Sequence, residues 1–305
     1  MAPSRDAPDA GLTWRMLATA GLVALVYAAA VLPAFLLGPV WGAVAVAAAV
    51  ACAVVSVRAA DRLVLYAMDA RPVTSDEEPE LHAVLDRLCM SSGLPKPRLA
   101  VSALEAPNAF AAGSGPGSAV VCVTGGLRPR LLPGELAAVL AHEVAHVANR
   151  DVLVGAVAAF PGLCAGLFLG WWTGLLTGRD RHGAGRAAAF AGGVVLLPLG
   201  VAAAVLYGVG TLVGLALSRH RELCADATGA LLIGRPSDLV SALEKITEGL
   251  RDASRDDLRA LRPVRALCVV GAHGGGAAGL LSSHPPLERR RERLSVLSWR
   301  LASGG

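Results

Sequence analysis

The sequence predicts a membrane protein of mixed α+β class: four transmembrane helices in two hairpins, plus a mostly helical domain with a small antiparallel β-sheet. Three observations predict it. The composition is 54 % apolar and only 17 % charged, where ordinary soluble chains carry about 25 % charged residues. The apolar excess falls in long uncharged runs rather than being spread along the chain. Between those runs the pattern changes to helical spacing of apolar residues and to short β-prone runs divided by Gly-rich turns.

The first uncharged run is Met16 to Val57, 42 residues. A helix crosses the hydrocarbon core with ~20 apolar residues, so the run fits two spans, with Gly38-Pro39 as the turn. Arg5 and Arg15 precede it, which makes a signal peptide the alternative for its first half; the second stretch would anchor the chain in either case. After Asp151, Val152 to Gly178 is uncharged, Arg179 to Arg186 is a polar link, and Ala187 to Ser218 is uncharged again. This reads as a second hairpin, in which Pro161 and Pro198 are tolerable. A re-entrant pair that does not fully cross is the alternative. The expected organisation is an N-terminal tail at 1–15, hairpins at 16–57 and 152–218, and a domain split between 58–151 and 219–305.

Cations near span ends set orientation. Arg5, Arg15, Arg58, Arg62, Arg71, Arg150, Arg219 and Arg221 flank one side of both hairpins, which places both termini and both parts of the domain in the cytoplasm. Arg179, Arg181 and Arg186 in the second link oppose this.

Asp76 to Leu94 has Leu81, Val84, Leu85 and Leu88 at helical spacing. Leu99 to Val101 and Ala119 to Val123 are β-prone, which suggests a small sheet. Pro133 sits where a helix begins, and that helix runs through Asn149. Ser237 to Leu250 and Pro285 to Leu301 read as further helices. His273 to Gly276 reads as a flexible link within a Gly-rich stretch, Gly271 to Gly279.

The net charge of +4 is modest, and the only lysines are Lys96 and Lys245. No basic stripe interleaves with aromatics, which argues against a nucleic-acid partner. Six scattered cysteines without a C-x-x-C pair argue against a disulfide framework.

His142-Glu143-Val144-Ala145-His146 contains H-E-x-x-H. Positions i and i+4 share a helix face, so both imidazoles can reach one metal, and Glu143 projects beside it as a general base. The motif is expected by chance roughly 0.006 times in this composition; a helix with two incidental histidines is the alternative. A catalytic zinc needs a third protein ligand and an open position. The charged cluster Ser218 to Asp226 supplies Glu222 as a carboxylate ligand. Asp226, one turn on, can accept from the distal nitrogen of a ligand histidine. Both ends of a helical hairpin emerge on the same side, which brings Glu222 to His146. The alternative for Glu222 and Asp226 is a solvated ladder with Arg219 and Arg221. His220 and Cys224 lie on other faces and suit packed roles.

Four motifs, in order, resemble the HtpX-like membrane zinc metalloproteases, relatives of the CAAX prenyl proteases. They are Pro107-Asn108-Ala109-Phe110-Ala111; H-E-V-A-H with Asn149, Arg150 and Asp151; S-R-H-R-E-L-C-A-D; and Ser283-His284-Pro285-Pro286-Leu287-Glu288-Arg289-Arg290. The resemblance spans about Met16 to Leu301, with the four spans. It implies one Zn2+ per chain at His142, His146 and Glu222, with Glu143 catalytic. It implies that Asn108, Ala109, Phe110 and Ala111 lie on a sheet edge that pairs with extended substrate, and that His284 stabilises the oxyanion; the alternative for His284 is a turn residue held by the prolines that follow it. It implies polypeptide substrates, membrane proteins among them, and quality control at the bacterial inner (plasma) membrane as a multi-pass protein. The Gly-rich stretch departs from the family pattern.

Two other readings share these residues. An intramembrane protease would carry the motif inside an apolar span, whereas Glu135 and Asn149-Arg150-Asp151 flank it here. A metalloprotease-like membrane sensor that transduces a signal is the second; the Asn108 edge motif and the His284-Pro285-Pro286 element favour the protease.

Overall fold

The computed structural model describes residues 38–113, 115–177, 184–261, 267–271 and 282–303, with Gly21, Ala28 and Phe35 as isolated positions. The first half of the expected first hairpin, most of the link in the second, and the bulk of the Gly-rich stretch lie outside the described residues.

In chain order the elements are α1 (Pro39–Ala67), β1 (Ala70–Pro72), α2 (Pro79–Ser92), β2 (Arg98–Ser102), β3 (Ala109–Ala112), β4 (Val120–Thr124), α3 (Pro133–Ala148), α4 (Asp151–Thr177), α5 (Ala184–Val195), α6 (Leu197–Ile233), α7 (Pro236–Asp252), α8 (Arg255–Ala260) and α9 (Leu287–Ala302). The fold is mostly helical with one small sheet. It divides into two compact units, residues 1–53 with 157–217, and residues 54–156 with 218–305.

The first unit is made of apolar helices. Among the described residues, α6 is the one helix long and apolar enough to cross a membrane. It has 37 residues, of which those up to Leu217 belong to this unit. Large apolar side chains in this unit, including Trp171, Val195, Val201 and Leu212, face outward. Hydroxyls within it turn back to their own helix, as Thr211 does to the Tyr207 carbonyl at 2.7 Å, and Trp172 Nε1 donates to the Gly193 carbonyl at 2.9 Å.

The second unit holds the sheet, whose strand order is β1-β2-β4-β3. The expectation of an antiparallel sheet is corrected: β2 and β4 pair in parallel, while β1–β2 and β3–β4 are antiparallel. The cause is the loop after β2. It carries the chain over the end of β4, where Gly125 N–H bonds to the Ser102 carbonyl and Gly126 N–H to the Leu104 carbonyl. β3 therefore starts at the sheet edge, and β4 returns between it and β2. All four β3 residues and all five β4 residues are buried, as expected of strands covered on both faces. Phe110, Leu81, Leu85, Leu140, Leu243 and Ile246 centre the core.

Helix α3 packs on β3, α2 and α7. Pro133 opens it with a φ already suited to helix. Glu135 then accepts the Leu132 N–H at 2.7 Å. The same carboxylate accepts from Ser241 Oγ at 2.6 Å and Lys245 Nζ at 2.7 Å, which pins the start of α3 to α7. Helices α2, α7 and α9 lie where the sequence places them, with ends shifted by a few residues; β1 and α8 were not anticipated.

Candidate active site

The site is built in the second unit, where α3, α6 and α9 meet. On α3, His142 and His146 are one turn apart and face the same way. Their Nε2 atoms are 3.0 Å apart. On α6, Glu222 brings Oε1 to 3.3 Å from His146 Nε2 and Oε2 to 3.8 Å from His142 Nε2. One ligand atom from each residue lies within 4.8 Å of the other two. The close approach of the helices has a local cause. A Cβ on Gly229, two turns beyond Glu222, would stand 2.9 Å from His142 N and 3.0 Å from the Ala141 carbonyl carbon. Only a residue without a side chain lets α6 lie against the α3 backbone at this height.

The outer nitrogens are also engaged. His142 Nδ1 is 3.1 Å from Asp226 Oδ1, and His146 Nδ1 is 2.7 Å from Asp151 Oδ2. Each carboxylate favours a proton on Nδ1 and turns the Nε2 lone pair inward, as metal-ligating histidines require. Asp226 stands where the sequence suggests. Asp151 as the partner of His146 was missed. Between the end of α3 and the start of α4, Arg150 adopts a left-handed φ of 55°, and Asp151 follows it directly. Arg221 Nη1 donates to the Asp151 carbonyl.

Arg290, on α9, was also missed. It is 2 % exposed. Its Nε and Nη2 donate to the two oxygens of Asp226 at 2.8 and 2.6 Å, and its Nη1 donates to the Val269 carbonyl at 2.6 Å. A paired guanidinium of this kind is what allows Asp226 to remain charged in the interior.

Glu143 is fully buried. Burial pushes its carboxyl up to about 8, Glu222 adding to the effect and His146 and Arg290 opposing it. Neither oxygen makes a full hydrogen bond, although the Ala111 N–H is directed at the carboxylate. Burial lowers the His142 imidazole. It opposes charge on His146 too, but there the Asp151 and Glu222 carboxylates outweigh it and push the imidazole up to about 10.

These facts fit a metal. Two inward lone pairs at 3.0 Å repel unless a cation or proton lies between them. Ligands at ~2.0–2.1 Å in a tetrahedron stand about 3.3 Å apart, which the 3.0 and 3.3 Å edges approach. The set of two imidazoles and a carboxylate suits zinc.

His284 is buried within the site, with Nδ1 3.1 Å from Glu222 Oε2. The β3 edge is close by, and the chain itself engages part of it. Asn108 Nδ2 donates to the Val270 carbonyl at 2.9 Å, and its Oδ1 accepts the Ala109 N–H at 3.1 Å. Phe110 is fully buried and pairs with Cys268 in an isolated antiparallel bridge. Neither His220 nor Cys224 belongs to the ligand group.

A family model described as Peptidase family M48 matches residues 75–298. The chain is 42 % identical over 303 residues to Protease HtpX homolog 1 of Streptomyces coelicolor, covering 98 % of this chain and 96 % of the relative. It is 39 % identical over 293 residues to the Protease HtpX homolog of Moorella thermoacetica, covering 92 % and 93 %. Among solved structures, S. mikatae Ste24p aligns with a TM-score of 0.45 and 16 % identity, over 93 % of this chain and 66 % of that one.

Proposed function

The chain belongs to peptidase family M48, and from that premise we propose that it is an integral-membrane zinc endopeptidase that cleaves membrane or misfolded proteins at the cytoplasmic face. The observation that carries the reading is the convergence of His142 Nε2, His146 Nε2 and a Glu222 oxygen beside a buried carboxyl group, Glu143.

His142, His146 and Glu222 would hold one zinc ion, which when bound supplies Lewis acidity to attacking water and to the scissile carbonyl. The rest is assigned to the protein. Asp226 and Asp151 hold the imidazoles in the ligating tautomer. Arg290 holds Asp226. Glu143, with no full hydrogen bond on either oxygen, takes the proton as water attacks and returns it to the leaving amine. A neighbouring cation opposes the upward push of burial on this carboxyl. His284 is assigned to the developing oxyanion, supported by its place beside Glu222. The outer edge of β3 is assigned to peptide pairing.

The outward apolar faces of the first unit and the length of α6 support a lipid surround. Four spans, the division of the peptidase domain between 58–151 and 219–305, a cytoplasmic domain and a role in membrane protein quality control complete the proposal. The test is casein cleavage by detergent-purified protein, with zinc measured on the same sample. The proposal expects about one zinc per chain and cleavage abolished by chelator and restored by zinc. Cleavage unaffected by metal removal would overturn it.

A further inference from the structure

We propose that Leu267–Gly271 is an internal occupant of the substrate edge, an autoinhibitory strap that must leave β3 before an extended apolar peptide can pair there. The inference rests on the peptidase reading above.

The argument begins with strand alternation. Thr124 N–H bonds to the Asn108 carbonyl across the β3–β4 pair. By the alternation of an antiparallel ladder, the peptide groups of Phe110 and Ala112 also face β4, while those of Ala109 and Ala111 face away. The outward Ala109 carbonyl is the acceptor a substrate strand would use first. Val269 N–H already occupies it, at 2.9 Å.

Two further bonds fix the strap. Asn108 Nδ2 holds the Val270 carbonyl at 2.9 Å. Arg290 Nη1 holds the Val269 carbonyl at 2.6 Å, while the rest of that guanidinium grips Asp226 behind His142. The strap therefore answers the edge and the metal-site scaffold together, as a bound peptide would. Its end runs against the oxyanion candidate: a Cβ on Gly271 would lie 2.7 Å from His284 Cδ2 and 3.5 Å from its Nε2.

Adjacent strands stand ~4.8 Å apart, so one edge cannot hold the strap and a substrate at the same positions. Burial points the same way. His142 and Glu143 have no exposed surface, and the cavity beside His146, lined also by Ala112 and Arg150, holds about 10 Å³. That is room for about one water and not for a peptide carbonyl. The strap is itself Cys268-Val269-Val270, apolar and β-branched. The peptide that displaces it is of the same class, an extended apolar stretch exposed by unfolding.

The test is hydrogen–deuterium exchange on the full-length, zinc-loaded protein in detergent, with and without the hydroxamate of a Leu-Val dipeptide. Zinc content and inhibition of casein cleavage are read first; absence of zinc or of all cleavage would overturn the peptidase reading and the strap with it. With inhibition complete, the strap predicts faster exchange at Cys268 to Val270. Unchanged or slower exchange at Cys268 to Val270 would overturn the strap alone. Val269→Pro, which removes the N–H donor, gives a second readout. Loss of one hydrogen bond of ordinary net strength shifts the strap equilibrium ~5-fold, and casein cleavage rises accordingly. A fall in cleavage at unchanged melting temperature would contradict the proposal. Should this variant fail to fold, the exchange measurement on the wild-type chain decides.

Discussion

The Nδ1 of His146 lies 2.7 Å from Asp151 Oδ2, across the helix junction where Arg150 adopts a φ of 55°. The carboxylate orients one of the proposed ligands from outside the motif that supplies it. Loss of such a partner typically weakens a metal site ~10–100-fold. Asp151→Asn is therefore expected to lower zinc affinity within that range, measured by competition with a chelator. Wild-type affinity would show that His146 needs no such support.

Among the described residues Glu143 has no ion-pair partner and no full hydrogen bond, only the Ala111 N–H directed at it, so its carboxyl group contributes little to holding the fold. Glu143→Gln is expected to keep zinc and melting temperature while casein cleavage falls ~100- to 10,000-fold, the range for a lost general base. Measurable turnover near the wild-type rate would remove Glu143 from the mechanism.

Gly229 predicts a graded effect at a distance from the ligands. An added Cβ there would stand 2.9 Å from His142 N, closer than side-chain carbons sit to backbone. In Gly229→Ala, either α6 moves outward by tenths of an ångström or the backbone of α3 yields. Zinc content and cleavage should both fall, with most helix signal in circular dichroism retained. Full zinc occupancy and wild-type cleavage would show that the spacing of α3 and α6 is not critical.

A pH effect follows from Glu135, well away from the ligands. Burial alone would raise its carboxyl; hydrogen bonds from Lys245, Ser241 and the Leu132 N–H outweigh burial and hold it below the ordinary carboxylate range. A depressed folded pKa contributes stability above the unfolded value of ~4.3, and that contribution is lost as pH falls through the folded pKa. Melting temperature should therefore decline on the acid side in the wild type and decline less in Glu135→Gln. Parallel acid limbs would contradict the assignment.

Much of this arrangement is legible in the sequence, and the limits are physical. Helical period places His142 with His146, and Glu222 with Asp226, without tertiary information. Their meeting is legible because the uncharged stretch between them reads as a returning hairpin. The parallel pairing of β2 with β4 is not legible, since it depends on a loop crossing the sheet end rather than on local pattern. Asp151 hides because it stands past the end of α3, after the left-handed residue Arg150. Arg290 lies 64 residues from Asp226 and looks like one more arginine in a basic helix. The strap hides because Cys268-Val269-Val270 has no motif, only a strand's chemistry.

The most direct test is X-ray absorption at the zinc edge on detergent-purified protein, wild type beside Glu222→Ala. Nitrogen and oxygen scatterers at ~2.0–2.2 Å, with two imidazoles resolved, are expected in the wild type, and zinc should be lost or its shell altered in the variant. Sulfur scatterers at ~2.3 Å, or a spectrum indifferent to Glu222, would contradict a centre made of His142, His146 and Glu222.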